Sequence, residues 1–422
     1  MRVKLPYGAE KTIEFFVPDV SFDGMLMPAP VTSVSDPQGA IAHAIDHPIG
    51  SPTISEIAHE GTRVSIICDD ISRPTPVSTI LPILLERLHH SGVRKADIQI
   101  IMALGSHRYM TKDEIRTRVG EKVYAEYSVI NSEFRNPEKL AHVGTTEDGV
   151  DIVITRDVMD SDIRIGIGNI VPHPVMGWSG GGKILFPGVT GEHTVAQFHM
   201  LGGLSDERLV GLEENPVRTR MESWVPVIGL HFIVNTVLDA QFRIVRVVAG
   251  DYVKAHRAGV ETAKTVMCCP MKRKADVIVV SSFPADEDFW QSGKGFCNAE
   301  GGLRNGSSTM ILVSPNIEGM GPHSEYGSCF GRDDASDLLR RLYNGEDIPG
   351  DPLALAVGTS MSKMRRRCRL VVVSDGVTRE EIESCGIMYY PVCDLQKAID
   401  ETLELYDAPV VVSVSHGGEF LL

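Results

Sequence analysis

The sequence predicts an α/β protein with two domains, each built of βα repeats around a mostly parallel sheet. Three observations predict it. Short apolar runs recur without alternation, as strands buried on both faces do. Amphipathic stretches of helical length separate the later runs. Glycine and proline cluster where several runs end, and such exits are where α/β proteins build binding loops. At 422 residues with 43% hydrophobic content, the chain can bury two cores, since domains run about 100–200 residues each.

Taken in order, Val64 to Ile67, Asp97 to Leu104 and Ile163 to Ile170 read as strands of the first sheet. A boundary falls near Cys268–Lys274, where CCPMKRK interrupts the apolar pattern. Beyond it, Asp276 to Ser281, Met310 to Val313, Leu370 to Ser374 and Val410 to Val414 read as strands. The stretches 334–343, 354–366, 378–385 and 395–405 read as helices between them. The expected division is 1–270 and 275–412, with the tail 413–422 crossing back to the first domain.

The strand exits carry the chemistry. After 163–170 comes HPVMGWSGGGK, in which glycines let the backbone approach a ligand and expose N–H groups that can cradle a phosphate. Gly177-x4-Gly182-Lys183 satisfies most of a P-loop, but Ile184 stands where a magnesium-binding Ser or Thr is required. That argues against ATP or GTP hydrolysis and frees Lys183 for another role. The exit at Cys68 reads CDDISRPTP; Asp70 and Arg73 share a turn whose prolines disfavour helix, so both can face one crevice. Arginine's planar fork suits a carboxylate or phosphate. The third exit, GSHR, carries His107. His173, His193 and His199 complete the histidines near these loops. In FWQSGKGF, Gln291 and Lys294 are three apart and would share a helix face.

A net charge of −15 and a pI near 5.4 argue against nucleic acid, because only the runs at 272–274 and 365–367 are basic. An acidic chain still binds an anionic substrate if Arg73, Lys183 and Lys294 converge. No stretch is apolar enough to span a membrane, and the first ten residues are not a signal peptide, so a cytoplasmic location is expected. The eight cysteines form no CxxC motif and read as reduced thiols, and no GxSxG element supports a serine hydrolase.

As a set, DDISRPTP at 69–76, GSH at 105–107, VPHPVMGWSGGGK at 171–183 and the final histidine of GEHTVAQFH resemble the nickel-dependent lactate racemase family. The resemblance covers most of the chain and implies a racemase or epimerase of 2-hydroxyacids, with the active site in the cleft between the domains. It implies a nickel pincer nucleotide, a pyridinium mononucleotide with two sulfur substituents, tethered through a thioamide to Lys183. Nickel would be held by both sulfurs, a ring carbon and His199, leaving His193 a bystander. The α-hydrogen would leave as hydride, and His107 and His173 would be general bases for the two enantiomers. Arg73 would hold the substrate carboxylate, and Asp70 would partner the cofactor or Arg73. Ser179, Gly180, Gly181 and Gly182 would contact the cofactor; Gln291, Lys294, Trp290 and Trp178 would line the substrate pocket. Trp290 stands where lactate-specific members carry tyrosine, which points to a larger or more polar hydroxyacid. Separate maturation proteins would supply the cofactor.

Two rival readings differ in class. In one, His107, His173 and His199 bind a bare metal in a lyase or hydrolase. In the other, the chain is a non-catalytic nucleotide or carboxylate sensor.

Overall fold

A computed structural model describes all 422 residues. Two six-stranded sheets organise them. The first runs, edge to edge, Ile244–Gly250, Phe232–Leu238, Ile163–Asn169, Val64–Asp69, Ile98–Ala103 and Ser128–Asn131; only Ile244–Gly250 is antiparallel to its neighbour. The second runs Met388–Tyr390, Arg369–Val373, Thr309–Val313, Val277–Ser281, Val411–Val414 and Phe22–Leu26, all parallel. Residues of the central strands are buried almost without exception, as in RLVVV and VIVVS, because helices cover both faces. The predicted strands and helices of both sheets are all present, within a few residues at their ends.

The expected 1–270 unit is corrected at its start. The hairpin Arg2–Tyr7 and Lys11–Phe16 packs on the second sheet, and Phe22–Leu26 is that sheet's edge strand, paired with Val411–Val414. An edge strand needs no continuous apolar run, and Phe22–Leu26 is only half-buried, so nothing in it announced a strand. The tail touches both units. Val411–Val414 belongs to the second sheet, whereas Leu421 donates its N–H to Met267 O (2.8 Å) at the end of the helix Lys254–Met267.

The order of the first sheet fixes where a ligand goes. From Val64–Asp69 the chain steps outward through Ile98–Ala103 to Ser128–Asn131, then returns to the other side at Ile163–Asn169. The carboxyl ends of Val64–Asp69 and Ile163–Asn169 therefore flank a topological switch point, the usual crevice of open α/β sheets. A second feature closes that crevice. The helix Glu192–Leu204 packs Val195, Ala196 and Met200 against Leu353, Ala354 and Ala356 of the helix Pro352–Arg367, so the element bearing His199 is clamped between the two sheets' helices.

Candidate active site

One cavity lies at this switch point. It is lined by Asp70, Arg73, His107, His173, Ser179, Gly180, Lys183 and His199 from the first sheet's side, and by Trp290, Gln291 and Lys294 from the second. Residues up to about 220 positions apart in sequence thus meet in one place.

The first exit loop is held rigidly. Arg118 donates to Asp69 O, Arg73 O and Thr75 O and pairs with the Asp69 carboxylate, pinning 69–75 from outside. Asp70 is bound within its own loop and to the next one. Its Oδ1 accepts from the Ser72 N–H and hydroxyl, and its Oδ2 lies 2.6 Å from His107 Nδ1. Burial alone would raise the Asp70 carboxyl; the His107 imidazole, the Ser72 hydroxyl and Arg73 outweigh it and hold the group below the usual carboxylate range. An ionised Asp70 keeps the proton of His107 on Nδ1 and its lone pair on Nε2. That lone pair accepts from Gln291 Nε2 at 2.6 Å, and Gln291 Oε1 accepts from Lys294. Asp288 sets this wall in place by capping the helix Phe289–Ala299, accepting from the Gln291 N–H.

His173 is arranged differently. Its Nδ1 accepts from the N–H groups of Val175 and Met176, each at 3.2 Å, so the neutral ring carries its proton on Nε2. Burial first, then Lys183, Arg73 and Lys294, push its imidazolium far below the ordinary range. His199 donates from Nδ1 to Val195 O at 2.8 Å, which leaves Nε2 as a bare lone pair suited to a metal. Burial drives its protonation down to about 3. His193, on the same helix, is exposed.

Lys183 is enclosed, and burial followed by the charge of Arg73 lowers its ammonium from 10.5 to about 7. A substantial fraction of the amine is therefore neutral and nucleophilic at physiological pH. Because the folded value lies below the unfolded one, the unfolded chain binds more protons between pH 7 and 10.5, and stability rises with pH there. The urea midpoint of protein lacking cofactor should rise between pH 7 and 9 and flatten in Lys183→Met; an unchanged slope in that variant would contradict the assignment.

Three expected ligand contacts fall elsewhere. Trp178 is 1% exposed, donates Nε1–H to Gly211 O, and packs in the core under the first sheet, so it is a packing residue. Gly181 has φ +63° and gives its N–H to Asn235 Oδ1; a Cβ there would lie 2.9 Å from Tyr252 O. Gly182 sits against Met221 and Val225 of the helix Pro216–Ile228. Both glycines serve close packing of the loop on the fold. Ser179 lines the cavity, yet its hydroxyl is used in donating to Asn169 O and accepting from Val171 N.

Two further groups were missed. Asn169, the last residue of its strand, is 2% exposed and lines the cavity, and its Oδ1 has no hydrogen-bond partner. A buried amide oxygen without a donor is what a bound ligand would satisfy. Glu419 approaches from the tail: burial raises its carboxyl to about 7 against the pull of Arg73 and Lys294. A strand-terminal Asn before a glycine-rich loop carried a signal; a tail carboxylate carried none.

Nowhere do three His, Cys, Asp or Glu side chains converge closely enough to hold a bare metal, so the three-histidine reading has no site. No helix is long and apolar enough to cross a membrane.

The fold and cavity define an α/β protein with a ligand-sized cavity where two mostly parallel sheets meet. Residues 7–210 of the chain match the lactate racemase N-terminal domain. The protein is an enzyme of the isomerase class. It is 28% identical over 408 residues to a lactate racemase of Lactiplantibacillus plantarum, covering 95% of this chain and 94% of that one. A lactate racemase of Thermoanaerobacterium thermosaccharolyticum is 27% identical over 347 residues, 81% of this chain and 80% of its own. The structure of a lactate racemase apoprotein from Thermoanaerobacterium thermosaccharolyticum shares the fold with a TM-score of 0.85 at 24% identity, covering 100% of this chain and 99% of the other. A Thermotoga maritima protein shares it at 0.73 and 19% identity, over 94% and 99%.

Proposed function

We propose that the protein racemises or epimerises a 2-hydroxyacid, with a nickel pincer nucleotide attached to Lys183 as cofactor. The observation that carries this reading is the convergence, in one enclosed cavity, of a lysine with a near-neutral amine, a histidine with a bare Nε2, and an Asp–His pair. The residues fit the group. Lys183 offers the nucleophile for a covalent link, His199 Nε2 the metal ligand, and the unpaired Asn169 Oδ1 an acceptor for a polar substituent. When bound, the cofactor supplies a hydride acceptor for the substrate's α-hydrogen.

The chain's own residues do the rest. Arg73 binds the substrate carboxylate, for which its fork is shaped. Gln291 yields His107 Nε2 as the substrate enters, and His107 takes the hydroxyl proton of one enantiomer while Asp70 holds the ring. His173 serves the mirror image. In its neutral form it enters as a donor to the C2 oxygen, and it becomes a base only when its proton shifts to Nδ1 at the expense of the Val175 and Met176 bonds. Burial lowers the Lys294 ammonium well below its ordinary value, and Lys294 donates to Gln291 Oε1. Trp290 replaces a phenol in the wall, and its ring lies tilted over His323 and edge-on to Tyr326, which shapes the pocket for a substrate other than lactate. Cofactor maturation proteins are the expected partners and the cytoplasm the expected compartment.

Nickel-loaded protein, produced alongside the maturation proteins, should convert single enantiomers of a chiral 2-hydroxyacid panel to mixtures, read by chiral chromatography. Loaded protein that racemises no member of the panel would contradict the reading.

A further inference from the structure

Ser106 precedes His107 in the turn after Ile98–Ala103, and its side chain lines the cavity. Its hydroxyl lies 3.3 Å from Nε2 of His323, whose Nδ1 is 2.6 Å from Asp351 Oδ2. The contact crosses the cleft: Ser106 comes from the first sheet, His323 and Asp351 from the elements around the second. His323 is 1% exposed, and the Trp290 ring lies on it, 4.5 Å between centroids. Asp351 also caps the helix Pro352–Arg367, accepting from the N–H groups of Leu353 and Ala354. Burial would raise its carboxyl, but His323 and these backbone bonds hold it below the usual range.

An ionised carboxylate at 2.6 Å fixes the His323 proton on Nδ1, so Nε2 is an acceptor. The Ser106 hydroxyl therefore donates to His323 and leaves its own lone pairs to the cavity. No other side chain bonds to that oxygen. A buried acceptor without a donor disfavours any ligand that sets a methyl group against it.

We propose that Ser106 is a specificity-determining residue that accepts a hydrogen bond from a second substrate hydroxyl, beside the C2 hydroxyl handled by His107. Asp351 and His323 are the positioning pair that orients it. The inference rests on the 2-hydroxyacid reading above and names its substrate class: a 2,3-dihydroxy acid rather than an acid with an alkyl tail.

The test uses nickel-loaded holoenzyme with glycerate and with lactate, each measured as kcat/KM for racemisation and as Kd by calorimetry. Wild-type protein should favour glycerate by about 10- to 100-fold. In Ser106→Ala the ratio should fall to near one. Asp351→Asn keeps a competent helix cap but releases the His323 tautomer, and should lower the ratio in the same direction. A wild-type preference for lactate, or an Ser106→Ala variant that loses both acids equally, overturns the proposal. Turnover of neither acid would count against the racemase reading alone, and the Kd ratio would then decide the role of Ser106.

Discussion

Lys183→Ala should abolish racemisation entirely and leave no group bound to the chain after denaturation. The expected loss is total because the substitution removes the only tether proposed for the cofactor, while His199 alone supplies a single ligand. Lys183→Arg sharpens the point. Arginine keeps the charge and much of the length, but its guanidinium stays protonated and cannot act as the nucleophile. An amine that needed only to be positive would tolerate the change; an amine lowered to about 7 so that it can react would not. Racemisation rates and the absorbance remaining on the denatured chain measure both variants. Full activity in either would remove the covalent cofactor from the account.

The second large effect concerns His107. His107→Ala should lower kcat by about 10²- to 10⁴-fold, the usual worth of a general base, with the cofactor still attached. Asp70→Asn should approach that loss although the imidazole remains. An amide at this position can donate to Nδ1, which moves the ring proton to Nε2 and blocks the nitrogen that faces Gln291. His173 offers a contrast, because its Nε2 already carries a proton in the neutral ring. His173→Gln retains a donor there and should keep more activity than His107→Gln. Equal losses would mean that the two histidines act symmetrically, against their different hydrogen bonding.

Much of the fold was legible in the sequence for a simple reason. Strands such as Val277–Ser281 and Thr309–Val313 are buried on both faces, so burial writes itself as an unbroken apolar run. The edge strand Phe22–Leu26 is half-exposed, contains a glycine, and pairs with residues 411–414 at the far end of the chain. No local pattern encodes such a partner. The site followed the same division. Arg73, His107, His173 and Lys183 stand at strand exits, where α/β sheets present their ligands' contacts, and all four reach one cavity. Their pairings were hidden, since Asp70 meets His107 across 37 residues and His107 meets Gln291 across 184. Trp178, Gly181 and Gly182 looked like ligand contacts because they share a loop with Lys183. A tryptophan can serve core or pocket equally well, and a glycine can admit a helix as readily as a phosphate.

The central claim is that Lys183 carries a nickel-binding nucleotide, and intact-protein mass spectrometry with peptide mapping tests it most directly. Protein made alongside the maturation proteins should carry an added mass of a few hundred daltons, localised to Lys183, with nickel bound to the modified fraction. An unmodified Lys183 in material that nonetheless racemises a 2-hydroxyacid would contradict the account.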